Sequence, residues 1–189
     1  MKKLLLATAL TASMFASYTA NAADYVIDTK GAHASVNFAV SHLGYSFIKG
    51  RFNSFEGEFS FDKENVEASK INVTVDTRSL DSNHAERDKH IRSSDFINTQ
   101  KFGTATFQST KVTDQGDGKL LIDGDITLHG VTKPISIDAT FIGEGQDPWG
   151  GYRAGFEGST RIKLEDFGIP IMGTSSYVDL ELHVEGVRK

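Results

Sequence analysis

Leu120-Leu121-Ile122-Asp123-Gly124-Asp125-Ile126-Thr127-Leu128-His129-Gly130-Val131-Thr132-Lys133-Pro134-Ile135-Ser136-Ile137-Asp138-Ala139-Thr140-Phe141 is the stretch that decides the fold. Leu120, Ile122, Gly124, Ile126 and Leu128 alternate with Asp123, Asp125, Thr127 and His129. Ile135, Ile137, Ala139 and Phe141 alternate with Ser136, Asp138 and Thr140. Successive side chains of a strand point to opposite faces, so both runs have one dry face and one wet face. That is the pattern of half-buried antiparallel strands. His129-Gly130 is a turn signal between them. Asp123-Gly124 falls inside a good strand pattern and reads as a bulge or bend. Pro134, like Pro148 and Pro170, reads as a connection.

Working outward, the same period recurs. Ala34, Val36, Phe38 and Val40 form one apolar row, and Phe55, Gly57, Phe59 and Phe61 another. Ile71, Val73 and Val75 follow, then Val178, Leu180, Leu182 and Val184 near the end. Weaker alternation covers 25–28, 104–112 and 152–164. Eight to ten strands are expected. One segment breaks the period: Ser82 to Ser93 is charged and has no β pattern. A short helix is expected near residues 83–93, capped by Ser82 or Asn83 with Glu86 in its first turn. Amphipathic strands with a single apolar face must close on themselves as a sandwich or a barrel. Glycines inside the strand patterns (Gly57, Gly124, Gly155 and Gly158) favour strong curvature. The expected fold is therefore all-β, an extended antiparallel barrel with one short helix.

Residues 1–22 read as an export signal. Lys2 and Lys3 precede an uncharged run from Leu4 to Ala16, and Ala20-Asn21-Ala22 is a small-x-small cleavage pattern. The apolar run is shorter than the ~20 residues needed to span a bilayer. Cleavage after Ala22 is expected, leaving one domain at 23–189 in the periplasm. The net charge of −5 becomes −7 without Lys2 and Lys3. Such a balance argues against a nucleic-acid partner and against electrostatic docking on an anionic bilayer. The chain has no cysteine, which removes disulfides, thiol catalysis and thiolate metal sites.

Thirteen phenylalanines stand in the chain, only Phe15 within the signal. A phenylalanine-rich wall suits an apolar, chemically unselective pocket, and the same rings would equally fill a core. On the alternation, Val36, Phe38, Val40, Phe59, Phe61, Phe107 and Phe156 are expected to point inward as a pore wall, with Phe47 beside them. Trp149, in a Pro148-Trp149-Gly150-Gly151 loop, reads as a surface residue, a pore cap or a partner anchor. No Gly-x-Ser-x-Gly and no phosphate-binding glycine loop occurs.

Asn83-His84-Ala85-Glu86-Arg87-Asp88-Lys89-His90-Ile91, then Asp95-Phe96 and Thr104-Ala105-Thr106-Phe107, resembles the signature of the YceI family. So do Leu128-His129-Gly130-Val131-Thr132-Lys133-Pro134, and Gly155-Phe156-Glu157-Gly158 leading to Asp166-Phe167-Gly168-Ile169. Tyr25-Val26-Ile27-Asp28 and His42-Leu43-Gly44 fit as well. The resemblance runs over essentially all of 23–189. It implies a lipocalin-like barrel whose pore holds a polyisoprenoid chain, and periplasmic carriage of an isoprenoid lipid or quinone. No separate cofactor, no metal and no catalytic residue is then expected. Transient contact with inner-membrane proteins is, and the chain is expected as monomer or homodimer.

His84, Asp88 and His90 are the sharpest polar group at the expected pore mouth. Spacings of four and two do not present all three on one helical face, so a structural network is the first reading. In that network Arg87 pairs with Asp88 and the histidines tie the helix to the barrel mouth; as ligand residues instead, His84 and His90 would hydrogen-bond a quinone oxygen or phenol at the open end. The alternatives are a metal-assisted enzyme built on these three residues, and a ligand-free structural or stress protein.

Overall fold

The computed structural model describes residues 22–171 and 176–189. Of the expected signal at 1–22, residues 1–21 lie outside the described residues. Eleven strands form one antiparallel sheet, eight of which close into a barrel. Around the barrel run β1 (Ala23–Ile27), β4 (Phe55–Phe61), β5 (Lys70–Asp76), β7 (Thr104–Gly116), β8 (Lys119–Leu128), β9 (Val131–Gln146), β10 (Tyr152–Lys163) and β11 (Tyr177–Arg188). Extra strands β2 (Ser35–His42), β3 (Ser46–Phe52) and β6 (Leu80–Asp81) extend the sheet from β11. The only α-helix among the described residues, α1, is Ala85–Arg92.

β11 changes neighbours along its length. Its last residues close the barrel on β1, with Tyr25 opposite Arg188 and Ile27 opposite Gly186. Its first residues pair instead with β2, from Val178 opposite Val40 to His183 opposite Ser35. One end of the barrel is thus an eight-strand ring, whereas the other has β2, β3 and β6 in its wall.

The β8–β9 hairpin turns at His129 and Gly130, both with positive φ (52° and 76°). Gly124 does mark an irregularity, but the extra residue sits on β7, where the register slips between Ser109 and Lys111. Pro134 is inside β9, opposite Asp125, rather than at a connection. The β9–β10 ladder reaches only from Gln146 to Asp138, so proline's missing N–H interrupts no bond on that side. At the helix, His84 is the cap in place of Ser82 or Asn83. Its Nδ1 accepts the Arg87 backbone N–H at 3.2 Å.

The eight-strand end is solid. Tyr25, Ile27, Phe59, Phe61 and Ala154 form a buried cluster, with Phe141 and Phe156 against it. Tyr25 stacks on Phe59 at 4.9 Å and 8°. Phe156 meets Phe59 and Phe61 edge-on at 5.5 and 4.9 Å. Such offset and edge-to-face pairs suit the ring quadrupole. Gly186 permits this packing, because a Cβ there would overlap the Phe59 ring.

Outside this plug, charges tie the end together. Arg153 reaches Asp28 at 2.7 Å, Asp147 at 2.6 Å and Glu185 at 2.6 Å. It joins the segment after β1, the β9–β10 loop and β11. Its guanidinium, followed by His33 and the Gly31 N–H, holds the Asp28 carboxyl far below the usual carboxylate range. The same guanidinium depresses Asp147.

Candidate functional site: an apolar cavity under the helix

The opposite end is hollow. Where β2 and β3 replace β1 and β4 in the wall, a cavity of ≈ 440 Å³ opens. β2 supplies Val36, Phe38 and Val40, the inward members of its alternation. β3 adds Ile48 and Phe52, β8 adds Ile126 and Leu128, and β11 adds Val178 and Leu180. Ile91 of α1, with Phe96 and Ile97 behind it, covers the space. Phe38 is held in place by an absence: a Cβ at Gly50 would overlap its ring and lie 2.6 Å from the Asp81 carbonyl oxygen.

The helix is fastened by a polar network around Ser82. Asp88 is 5 % exposed. It accepts the Ser82 N–H at 2.9 Å and also the Ser82 hydroxyl. Ser82 Oγ in turn accepts Arg87 Nε at 2.7 Å, and Arg87 Nη2 donates to the Ser82 carbonyl at 2.5 Å. Arg92 donates to the Leu80 carbonyl at 2.7 Å, clamping the last turn onto β6. Buried polar groups are normally satisfied in this way.

Few polar side chains line the cavity. Thr77 spends its hydroxyl on the Phe102 carbonyl at 2.7 Å, and Ser41 accepts the Gly44 N–H at 3.3 Å. Arg87, His90 and His42 remain. Arg87 has no carboxylate within 4.0 Å among the described residues; its side chain donates to Ser82. His90 packs edge-on against Phe96 at 4.8 Å, and its Nε2 is 3.9 Å from Asp95. The arrangement can enclose a hydrocarbon and offer its polar end a guanidinium and imidazoles.

Of the expected wall residues, Val36, Phe38 and Val40 line this cavity. Phe59, Phe61 and Phe156 do not: they point inward but meet one another in the plug. Phe107 packs beside Ile126 with its ring over Gly124, below the cavity lining. Phe47 is 64 % exposed and faces out, because Ile48 takes the inward position on β3.

The three polar candidates do not converge. His84 caps the helix, Asp88 is buried against Ser82, and only His90 borders the cavity. The one cluster of metal-ligand type among the described residues is Asp28, His33 and Glu185, outside the plug, where Arg153 already bridges the two carboxylates. Trp149 is 78 % exposed, near Arg153, and is no cap on the cavity. The sequence offered Arg87 only as a partner for Asp88; the two instead meet through Ser82, and the place of Arg87 in the cavity lining escaped notice because a charged residue on a polar helix looks like surface. Its place in an uninterrupted charged run next to buried Asp88 carries no periodic signal.

The geometry has counterparts among known proteins. The YceI-like domain model matches residues 25–186. A UPF0312 protein of Vibrio vulnificus is 72 % identical over 189 residues, covering 100 % of both chains. The crystal structure of a Campylobacter jejuni YCEI protein superposes with a TM-score of 0.72 at 29 % identity, covering 79 % of this chain and 90 % of that one. A polyisoprenoid binding domain from Saccharophagus degradans, at 15 % identity, shares the fold with a TM-score of 0.61 over 89 % of this chain and 99 % of its own.

Proposed function

This chain belongs to the YceI-like family, and from that premise we propose that it is a carrier holding a polyisoprenoid lipid or isoprenoid quinone in its hollow end. The observation that carries the reading is the cavity itself: its lining is apolar except for Thr77 and Ser41, which are already hydrogen-bonded, Arg87, whose Nε and Nη2 are held by Ser82, and His90 and His42. Burial of hydrocarbon contributes about 0.8 kcal/mol per CH₂, so each enclosed isoprene unit contributes roughly 4 kcal/mol. Tight binding therefore needs little polar recognition. The polar end of the ligand, a quinone oxygen or an anionic head, meets Arg87 and His90. The polyisoprenoid-binding neighbour of the same fold supports this ligand class.

The family match and the largely apolar lining favour binding rather than catalysis. With residues 1–22 taken as a cleaved export signal, the carrier works in the periplasm.

The test is organic extraction of the purified protein followed by mass spectrometry, together with titration by a fluorescent prenyl-chain analogue. A co-purifying isoprenoid and saturable binding are expected. An empty extract with no saturable binding would leave a ligand-free structural role instead.

A further inference from the structure

The turn between β2 and β3 is built at a conformational cost. His42-Leu43-Gly44-Tyr45 closes with a Tyr45 N–H to His42 carbonyl bond of 2.9 Å, and both central residues have positive φ, 54° at Leu43 and 79° at Gly44. A two-residue turn of this kind prefers Asn, Asp or Gly first. Here a branched aliphatic residue occupies the strained position, and strain in a backbone points to a function that needs that side chain there. Leu43 is 50 % exposed, Tyr45 87 % and Phe47 64 %. Tyr177, 49 % exposed, starts β11 directly beyond the Val178–Val40 pair and so flanks the same hairpin end.

Two further observations say what covers this finger. It is apolar on both faces: Ile48 looks into the cavity while Phe47 looks out. A protein partner buries one face of a broad patch, about 800 Å² per side; a fluid medium surrounds a finger. The second is charge. Between Asp28 and Glu56 the chain has no acidic residue, although its net charge is −5. Lys49 and Arg51 share the outer face of β3 with Phe47; Arg51 stands opposite Asp81, which takes up its charge, whereas Lys49 has no carboxylate within 4.0 Å among the described residues. At about 3.3 Å per residue, Lys49 stands roughly 7 Å behind Phe47. Apolar groups that enter a bilayer interface reach about 5–10 Å into it, which brings Lys49 to the phosphate level, where a lysine ammonium is favoured. Beside the finger, Arg161 is paired with Asp179 and Lys163 with Glu165, so their charges are already matched.

We infer that the end of the β2–β3 hairpin, with Tyr177, is a docking surface for the anionic face of a phospholipid bilayer. Docking there sets the cavity mouth against the membrane, since Ser41, His42 and Leu43 also line the cavity. The negative charge of the rest of the chain works with this geometry, because an anionic surface repels every other approach. The purpose of the docking, loading and unloading a prenyl lipid, rests on the carrier reading; the docking itself does not.

Flotation of the purified protein with phosphatidylethanolamine–phosphatidylglycerol vesicles tests this, with phosphatidylcholine vesicles alongside. The wild-type protein is expected to float with the anionic vesicles, to float less with the neutral ones, and to detach partly at high salt. Tyr45→Ser with Phe47→Ser should reduce the bound fraction about tenfold or more, and Lys49→Glu should reduce it on anionic vesicles alone. Neither Tyr45 nor Phe47 lines the cavity, so the double variant should keep wild-type affinity for a prenyl analogue delivered in solution. Trp149→Ser, exposed at the plugged end, should float as wild type does.

A wild-type protein that binds the prenyl analogue but never floats overturns the docking and spares the carrier reading; flotation without prenyl binding does the reverse. A double variant that floats unchanged overturns the docking too. So does a wild-type dimer that the double variant abolishes while vesicle binding persists, which would assign the finger to self-association.

Discussion

At Leu43 the backbone adopts a left-handed conformation that costs an L-residue about 1–2 kcal/mol. Asn tolerates this region through its short polar side chain, so Leu43→Asn should raise stability by about 1 kcal/mol, read as a higher urea midpoint at unchanged slope. Ser82 presents the opposite case. Its N–H and hydroxyl both serve buried Asp88, and its oxygens receive Arg87. Ser82→Ala strips the Asp88 carboxylate of one donor and should cost about 1–3 kcal/mol in urea unfolding. At this scale the sequence was least informative. Nothing in Asn83-His84-Ala85-Glu86-Arg87-Asp88 distinguishes the buried carboxylate from the exposed one, because each charged residue looks equally solvated until Ser82 and the barrel wall are in place.

Among elements, β8, β9 and β11 were legible because each carries a long alternation with one wet face, while β10 showed a weaker one. β3 was not. Its inward row is Ile48, Gly50 and Phe52, and its outward row begins with Phe47. Gly50 is small because the Phe38 ring occupies the space a side chain would fill, and Phe47 is apolar although exposed, so both rows depart from the expected pattern. β6, only Leu80 and Asp81, is too short to show a period at all. The elements at the plugged end are joined by Arg153, and that joint depends on pH. Asp28 has a lowered pKa in the folded protein, caused first by Arg153. Its contribution to stability is therefore complete above the ordinary carboxylate value of 3.8 and is lost as pH falls through the lower folded value. Arg153→Met should lower the melting temperature at neutral pH, and thermal melts in progressively more acid buffer should show the gap to wild type closing below about pH 4 as the freed carboxylates protonate.

For the molecule as a whole, alternation tells which residues face inward but not how far along the axis they lie. Phe38 and Phe156 obey the same rule; one borders the cavity and the other fills the plug. The barrel and its apolar interior could thus be read from the sequence, whereas the division into a solid and a hollow end could not. That division is set by where β11 passes from β2 to β1. It predicts two separable phenotypes. Phe156→Ala should destabilise the fold by about 3–5 kcal/mol and leave prenyl-analogue affinity within a small factor of wild type. Val178→Trp, which fills the cavity from β11, should keep a near wild-type melting temperature and weaken that affinity about tenfold or more. Calorimetry and ligand titration on the two variants check both statements.

The handover of β11 between two neighbours has a consequence for cargo size. In an ordinary closed barrel, girth is dictated by strand number and stagger all the way round. Here the girth of the mouth is governed by a hairpin that the ring does not contain. Lengthening, shortening or tilting that hairpin re-tailors the capacity of the mouth for longer or bulkier tails, and no residue of the eight-strand ring has to change its register.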